Sequence, residues 1–216
     1  MPENKKFWKF CNQAGNKVEL LLYDDISQTS WWGDEVTPKQ FAEELAGLGA
    51  LDEITVRINS GGGDVFAAQA IGNQLEQHPA AVTAKIDGLC ASAATIVACH
   101  CGKVIAATDS TYMVHPVRMG AYGYYNAEEL QKYIEAMNAI RESIVGLYVK
   151  KTGRDRDEVA GWMDETSWWT AAQAKENGFI DELTDEADGA VIENRDGLLF
   201  VNSVNIGRAS CRERVC

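Results

Sequence analysis

Positive charge is scarce in this chain: 20 Lys and Arg stand against 32 Asp and Glu in 216 residues, a formal net charge of −12. Nucleic-acid binders draw their affinity from clustered Lys and Arg, so a phosphate backbone is excluded as a ligand class and a protein or peptide partner is expected. Also missing is any apolar run near the roughly 18 to 20 residues of a membrane span, and Met1-Pro2-Glu3-Asn4-Lys5-Lys6 leads into no signal-type apolar core. A cytoplasmic protein without membrane association is expected. A second metal-ligand pair is lacking too. Cys99-His100-Cys101 has the right residue types, but neighbours on a strand face opposite ways and nothing completes a four-ligand set. No metal and no cofactor is expected, and Cys11 and Cys90 read as small buried apolar residues. Internal repeats and low-complexity stretches are absent.

What is present is a length and a 46% hydrophobic content sufficient for one substantial core. Lys17 to Ile26 reads as a strand. Thr37-Pro38 opens a helix with Phe41, Leu45 and Leu48 on one face, and Ile54 to Ile58 is a second strand running into Asn59-Ser60-Gly61-Gly62-Gly63-Asp64. The pattern continues with a helix over Val65 to Gln77, a strand over Val82 to Ile86 and a Gly turn at Gly88. A small-residue helix over Ala91 to Cys99 and short strands at Lys103 to Ala106 and Tyr112 to Val114 follow. Such alternation predicts βαβ units in a mostly parallel sheet. Ala127 to Thr152 is the longest helical pattern, ended by Gly153. Further helices are expected at Asp155 to Met163 and Thr170 to Gly178, with Phe179 to Leu183 extended.

The division expected is an N-terminal extension at 1–16, a main domain at 17–185 and a C-terminal extension at 186–205. Residues 206–216 resemble one reading frame of a sequencing adapter and lack strand or helix periodicity, so they are expected to be foreign to the native chain.

Two residues carry the chemistry. Ser92 follows a strand and opens a helix of small side chains, where free backbone N–H groups favour developing negative charge; the plain alternative is a helix cap. His115 ends a strand, a usual place for a catalytic group in a parallel sheet, and histidine ordinarily ionises near pH 6.5, which suits a general base. His78 and His100 are expected to be incidental. The Gly62-Gly63 run lets backbone approach a substrate and aim an N–H at a carbonyl oxygen, whereas Asp64 and the lack of a following Lys-Ser/Thr argue against phosphate.

Ile58 to Gly63, Gly88 to Ala93, Met113-Val114-His115-Pro116 and Trp169 to Ala174 through Gly178 to Asp181 resemble, in order, the successive signatures of the Clp protease proteolytic subunit family, peptidase family S14. Asp34 to Pro38 and Trp31-Trp32 are more similar to its phage-type branch, the head maturation proteases that process scaffold or capsid precursors. The resemblance implies an α/β, crotonase-like βαβ spiral with a protruding handle helix, for which Ala127 to Thr152 is the candidate. It implies Ser92 as nucleophile, His115 as base, and the N–H groups of Gly63 and Ala93 as the oxyanion hole.

It further implies self-assembly into rings around a chamber, protein substrates and, in the cellular branch, an ATPase unfoldase as partner. For the orienting acid, alignment puts Thr166 where the family has Asp. The nearest acids are Asp164 and Glu165, and an extended segment would place Asp164 on the same face as Thr166, so Asp164 is the expected third member, with Thr166 as its rival. A catalytically silent ring module and an acyl-CoA enzyme are the other functions such a fold could serve.

Overall fold

Alternating apolar residues build the centre of the molecule. A computed structural model describes residues 6–12, 15–27, 37–184, 192–195, 198–201 and 204–208. Its main sheet has eight strands: β1 (Trp8–Asn12), β2 (Lys17–Leu22), β3 (Glu53–Ser60), β4 (Ala81–Ala91), β5 (Lys103–Ala107), β6 (Thr111–Val114), β7 (Ser167–Thr170) and β8 (Glu182–Thr184). The path runs β1-β2-β3-β4-β5-β8, and β6 leaves it by pairing with the far end of β4 and with β7. Pairs β2–β3, β3–β4, β4–β5 and β4–β6 are parallel, as the strand–helix alternation predicts, while β1–β2 and β6–β7 are antiparallel.

One face of the sheet buries Leu20, Leu22, Val56, Ile58, Ala84 and Ile86 against α1 (Pro38–Gly47), α2 (Val65–Glu76) and α3 (Ala93–Cys99). A buried aliphatic side chain is worth about 1.5 to 3 kcal/mol relative to exposure, so this layer dominates the stability. The other face is polar. There Arg57 donates twice to Asp87, at 2.9 and 2.5 Å, and the Tyr23 hydroxyl donates to the same carboxylate at 2.7 Å. Burial, followed by that carboxylate, pushes the Tyr23 phenol up to about 12.

Local signals set the helix ends. Thr37 caps α1 in a box with Gln40, and Pro38 occupies the first turn. Asn126 and Glu129 form the same box at the start of α4 (Ala127–Thr152, 26 residues), and Gly153 ends it at φ 67°. Only its C-terminal half is packed, through Ile144, Val145 and Tyr148; Leu130 and Ile134 further forward are about half exposed. The shorter helices α5 (Arg156–Asp164) and α6 (Ala171–Glu176) complete this unit. Tyr112, Tyr148, Trp162 and Trp169 surround the buried Phe179, with ring centroids 4.9, 5.3, 5.8 and 5.6 Å from its own, and fasten α4, α5, β6 and β7 to one another.

Two expectations are corrected, those for Gly88 and Asp164, and two strands are found that the sequence reading did not assign. β4 does not turn at Gly88: it continues to Ala91, because β6 takes over as its pairing partner where β5 leaves off. Trp8–Asn12, inside the expected extension at 1–16, is an edge strand in register with β2. The Trp168-Trp169 segment is a strand as well. Asp164 closes a helix, and the extended geometry invoked for it does not occur.

A second compact unit, 184–216, contains an antiparallel three-stranded sheet of β9 (Ile192–Arg195), β10 (Leu198–Val201) and β11 (Val204–Arg208). Residues 206–208 of the expected foreign tail are therefore strand; 209–216 lie outside the described residues, as do Trp31, Trp32 and Asp34 to Val36. No helix among the described residues is long and apolar enough to cross a membrane.

Candidate active site

Pairing between β4 and β6 places the two candidate residues side by side. Ala91 is in register with Met113, and the Ser92 N–H donates to the Met113 carbonyl at 2.9 Å, so Ser92 and His115 leave the ends of neighbouring parallel strands. Ser92 stands at the N-terminus of α3 with φ 54° and ψ −126°, a conformation that costs a non-glycine residue on the order of 1 to 3 kcal/mol. Its side chain makes no capping bond. The Oγ atom lies instead 2.8 Å from Nε2 of His115. The strain is the cost of turning the hydroxyl away from the helix and toward the imidazole, which removes the helix-cap alternative.

On the other side of the ring, Nδ1 of His115 lies 2.6 Å from the Pro116 carbonyl. A carbonyl can only accept, so the proton sits on Nδ1 and Nε2 is left with a lone pair toward Ser92. Asp164 is not the group that holds the ring. Its carboxylate accepts from the Arg141 guanidinium at 3.1 and 2.7 Å, on the surface. The reason is the helix: α5 carries Asp164 through its last turn, and the chain reverses only at Thr166, which adopts φ 58°. Thr166 itself directly precedes Ser167 in the last β6–β7 pair, Val114 with Ser167, and His115 directly follows Val114.

The glycine turn packs on the nucleophile. An added Cβ at Gly62 would lie 2.6 Å from the Ala91 carbonyl and the Ala93 nitrogen and 2.7 Å from the Ser92 Cβ. At Gly63, φ is 136° and a Cβ would meet the Ile26 carbonyl at 2.1 Å, so glycine is required at both positions. Ile26 bonds to the Gly62 carbonyl and the Asp64 N–H, each at 2.7 Å, which turns the intervening Gly63 N–H to the opposite side. The Ala93 N–H, at the first position of α3, has no intrahelical partner.

Residues beyond the expected set also position Ser92. The buried Thr95 hydroxyl donates to the Ser92 carbonyl at 2.5 Å and lies 2.6 Å from the Tyr148 hydroxyl, so α4 reaches the nucleophile through two side chains. Burial pushes the Tyr148 phenol well above its ordinary range and keeps it neutral. Spacing from Ser92 could have flagged Thr95; nothing local to Tyr148 could have done so. A cavity of about 300 Å3 adjoins the pair, walled by Val65, Ile96, Ile144 and Met163, with Arg118 among its lining. A larger hollow of about 420 Å3, bounded by Glu76, His100, Cys101 and Lys150, contains neither Ser92 nor His115. Tyr122 and Tyr124 project fully into solvent, and Tyr125 packs edge-on against Tyr133.

Comparison with known proteins gives the family and the fold. The family model described as Clp protease matches residues 21–187. The chain is 28% identical over 180 residues to "ATP-dependent Clp protease proteolytic subunit 1" of Chlamydia abortus, covering 80% of this chain and 93% of that one. It is 29% identical over 168 residues to the "ATP-dependent Clp protease proteolytic subunit" of Bacteroides fragilis, covering 76% of this chain and 80% of the relative. Among solved structures, a point mutant of ClpP1 from Listeria monocytogenes superposes with a TM-score of 0.63 at 23% identity over 79% of this chain and 93% of that one, which establishes a ClpP-like α/β fold. A family model spanning most of the sequence, over a fold in which strand register delivers a serine to a histidine, makes this chain a member of the Clp protease family of serine endopeptidases.

Proposed function

We propose that the chain is a cellular Clp proteolytic subunit in which Ser92 and His115 hydrolyse peptide bonds in unfolded or flexible polypeptides. The observation that carries this reading is the 2.8 Å contact between Ser92 Oγ and His115 Nε2, held by a serine in a strained backbone that does not cap its helix. Nε2 takes the hydroxyl proton as Oγ attacks the scissile carbonyl, and the imidazolium then returns that proton to the leaving amine. Water repeats the sequence on the acyl-enzyme. The N–H groups of Gly63 and Ala93 receive the negative charge that forms on the carbonyl oxygen; one such donor is worth about 2.7 to 4 kcal/mol. The Pro116 carbonyl holds the imidazole in the tautomer this sequence of transfers needs.

The narrower expectation of a phage head maturation protease is set aside. Its sequence signals, Trp31-Trp32 and most of Asp34 to Pro38, fall outside the described residues, and the relatives named above are bacterial ATP-dependent subunits. Their name supports an ATPase as working partner for this chain. Self-assembly is supported by the front half of α4, where Leu130 and Ile134 lie uncovered. A fluorophosphonate should label Ser92 stoichiometrically, with labelling lost in Ser92→Ala and strongly slowed in His115→Ala. Absence of labelling in a folded oligomer would sink the peptidase reading and favour a silent ring module.

A further inference from the structure

Of the five arginines within residues 37–184, four are held. Arg57 is paired with Asp87 and Glu19, Arg141 with Asp164 and Glu142, Arg156 with Glu142, and Arg154 donates to the Glu176 carbonyl. Arg118 stands apart: among the described residues it has neither a carboxylate nor a carbonyl partner. It is also the one arginine on the wall of the cavity beside Ser92 and His115, and among the described residues the only Lys, Arg, Asp or Glu there; the wall is otherwise built from residues such as Val65, Ile96, Ile144 and Met163. In a chain with 32 acidic residues and 20 basic ones, acids to neutralise a cation are abundant, yet this one faces the reactive cavity with no acid of the described residues beside it.

Resting on the peptidase reading above, we propose that Arg118 is a specificity residue that pairs with a substrate carboxylate next to the scissile bond, so that acidic segments are cleaved in preference to neutral or basic ones. A guanidinium presents a planar fork that matches a carboxylate bidentately. Lysine or arginine at the same substrate position meets like charge and is disfavoured. The chain's net negative charge repels an acidic substrate at long range, so the selection has to be made by a local cation. Because Arg118 is exposed, the preference is modest, about two- to fivefold, the scale of an exposed charge pair.

The test uses peptides that share one apolar residue at the cleaved bond and carry Glu, Gln or Lys beside it, measured as kcat/KM with the wild type, Arg118→Gln and Arg118→Glu. Expected is Glu over Gln over Lys for the wild type, a smaller spread in roughly 0.5 M salt where charges are screened, a levelled series for Arg118→Gln and an inverted one for Arg118→Glu. Inversion cannot be produced by a damaged fold. Equal rates for Glu and Gln peptides in the wild type, or an unchanged order in Arg118→Glu, would overturn the proposal. Binding of the same peptides to Ser92→Ala, followed by fluorescence anisotropy, decides independently of turnover: tighter Glu binding supports Arg118, and equal affinities overturn it. Failure of the wild type to cleave any peptide counts against the peptidase reading alone.

Discussion

Gly62→Ala is the sharpest perturbation the site offers, because the new methyl would press on backbone. The Cβ would stand 2.6 Å from both the Ala91 carbonyl and the Ala93 nitrogen, roughly 0.8 Å short of ordinary contact, which begins at 3.4 Å. Neither atom can rotate away. The residue also sits at φ 95°, where L-residues are strained by about 1 to 2 kcal/mol. Overpacking adds about 1 to 3 kcal/mol, so the expected loss is about 2 to 5 kcal/mol, or a melting temperature lower by roughly 4 to 20 °C for a chain of this size.

The catalytic effect is the larger signature. Relief must come from the Ala91–Ala93 turn, which carries the nucleophile, and a displacement near 1 Å costs about a hundredfold in rate. Fluorophosphonate labelling kinetics and thermal melts should be read beside those of Gly61→Ala, whose Cβ would meet only the flexible Asp25 carboxylate at 3.4 Å, at an ordinary φ. That neighbour should keep its labelling rate and gain about 0.4 to 1 kcal/mol. Wild-type labelling and melting in Gly62→Ala would refute the packing on which the oxyanion assignment rests.

Asp164→Asn should leave kcat/KM within about twofold, because the carboxylate serves Arg141 at the surface; a loss near 10⁴, the scale seen when a triad acid is replaced, would restore Asp164 to the catalytic group. Thr95→Val should slow Ser92 labelling and destabilise by about 1 to 3 kcal/mol, since the buried Tyr148 hydroxyl loses its partner. Adding Tyr148→Phe should recover much of the stability, and additive losses in the double mutant would argue against the coupled pair. Burial pushes the Cys101 thiol up to about 12, so the folded state holds its proton while the unfolded state releases it near the ordinary value of 9.0. The stabilisation is therefore complete below pH 9 and declines as pH rises toward 12. Iodoacetamide at pH 8.5 should spare Cys101 in peptide maps of the native protein and modify it once unfolded; native modification at the rate of a free thiol would contradict its burial.

What the sequence determined by itself was whatever neighbours in the chain decide. Thr37-Pro38 and Asn126 with Glu129 specify helix starts through side chains within one turn, Gly153 specifies a stop, and the alternation in Ile54-Thr55-Val56-Arg57-Ile58 specifies a strand with one apolar face. Ser92 and His115 were legible as candidates because each ends an apolar run. Edge and short strands were less so: Trp8–Asn12 and Ser167–Thr170 exist because β2 and β6 offer them backbone partners, and β4 runs past Gly88 because β6 receives it.

Only the tertiary structure decided what meets Ser92 and His115. The 2.8 Å contact depends on β4–β6 register between residues 23 positions apart in the chain, and the choice of Pro116 over Asp164 as the ring's partner depends on the last turn of α5 handing that acid to Arg141. Such outcomes turn on rigid placement at the ångström scale, which the summed packing of distant apolar residues controls and local propensity does not.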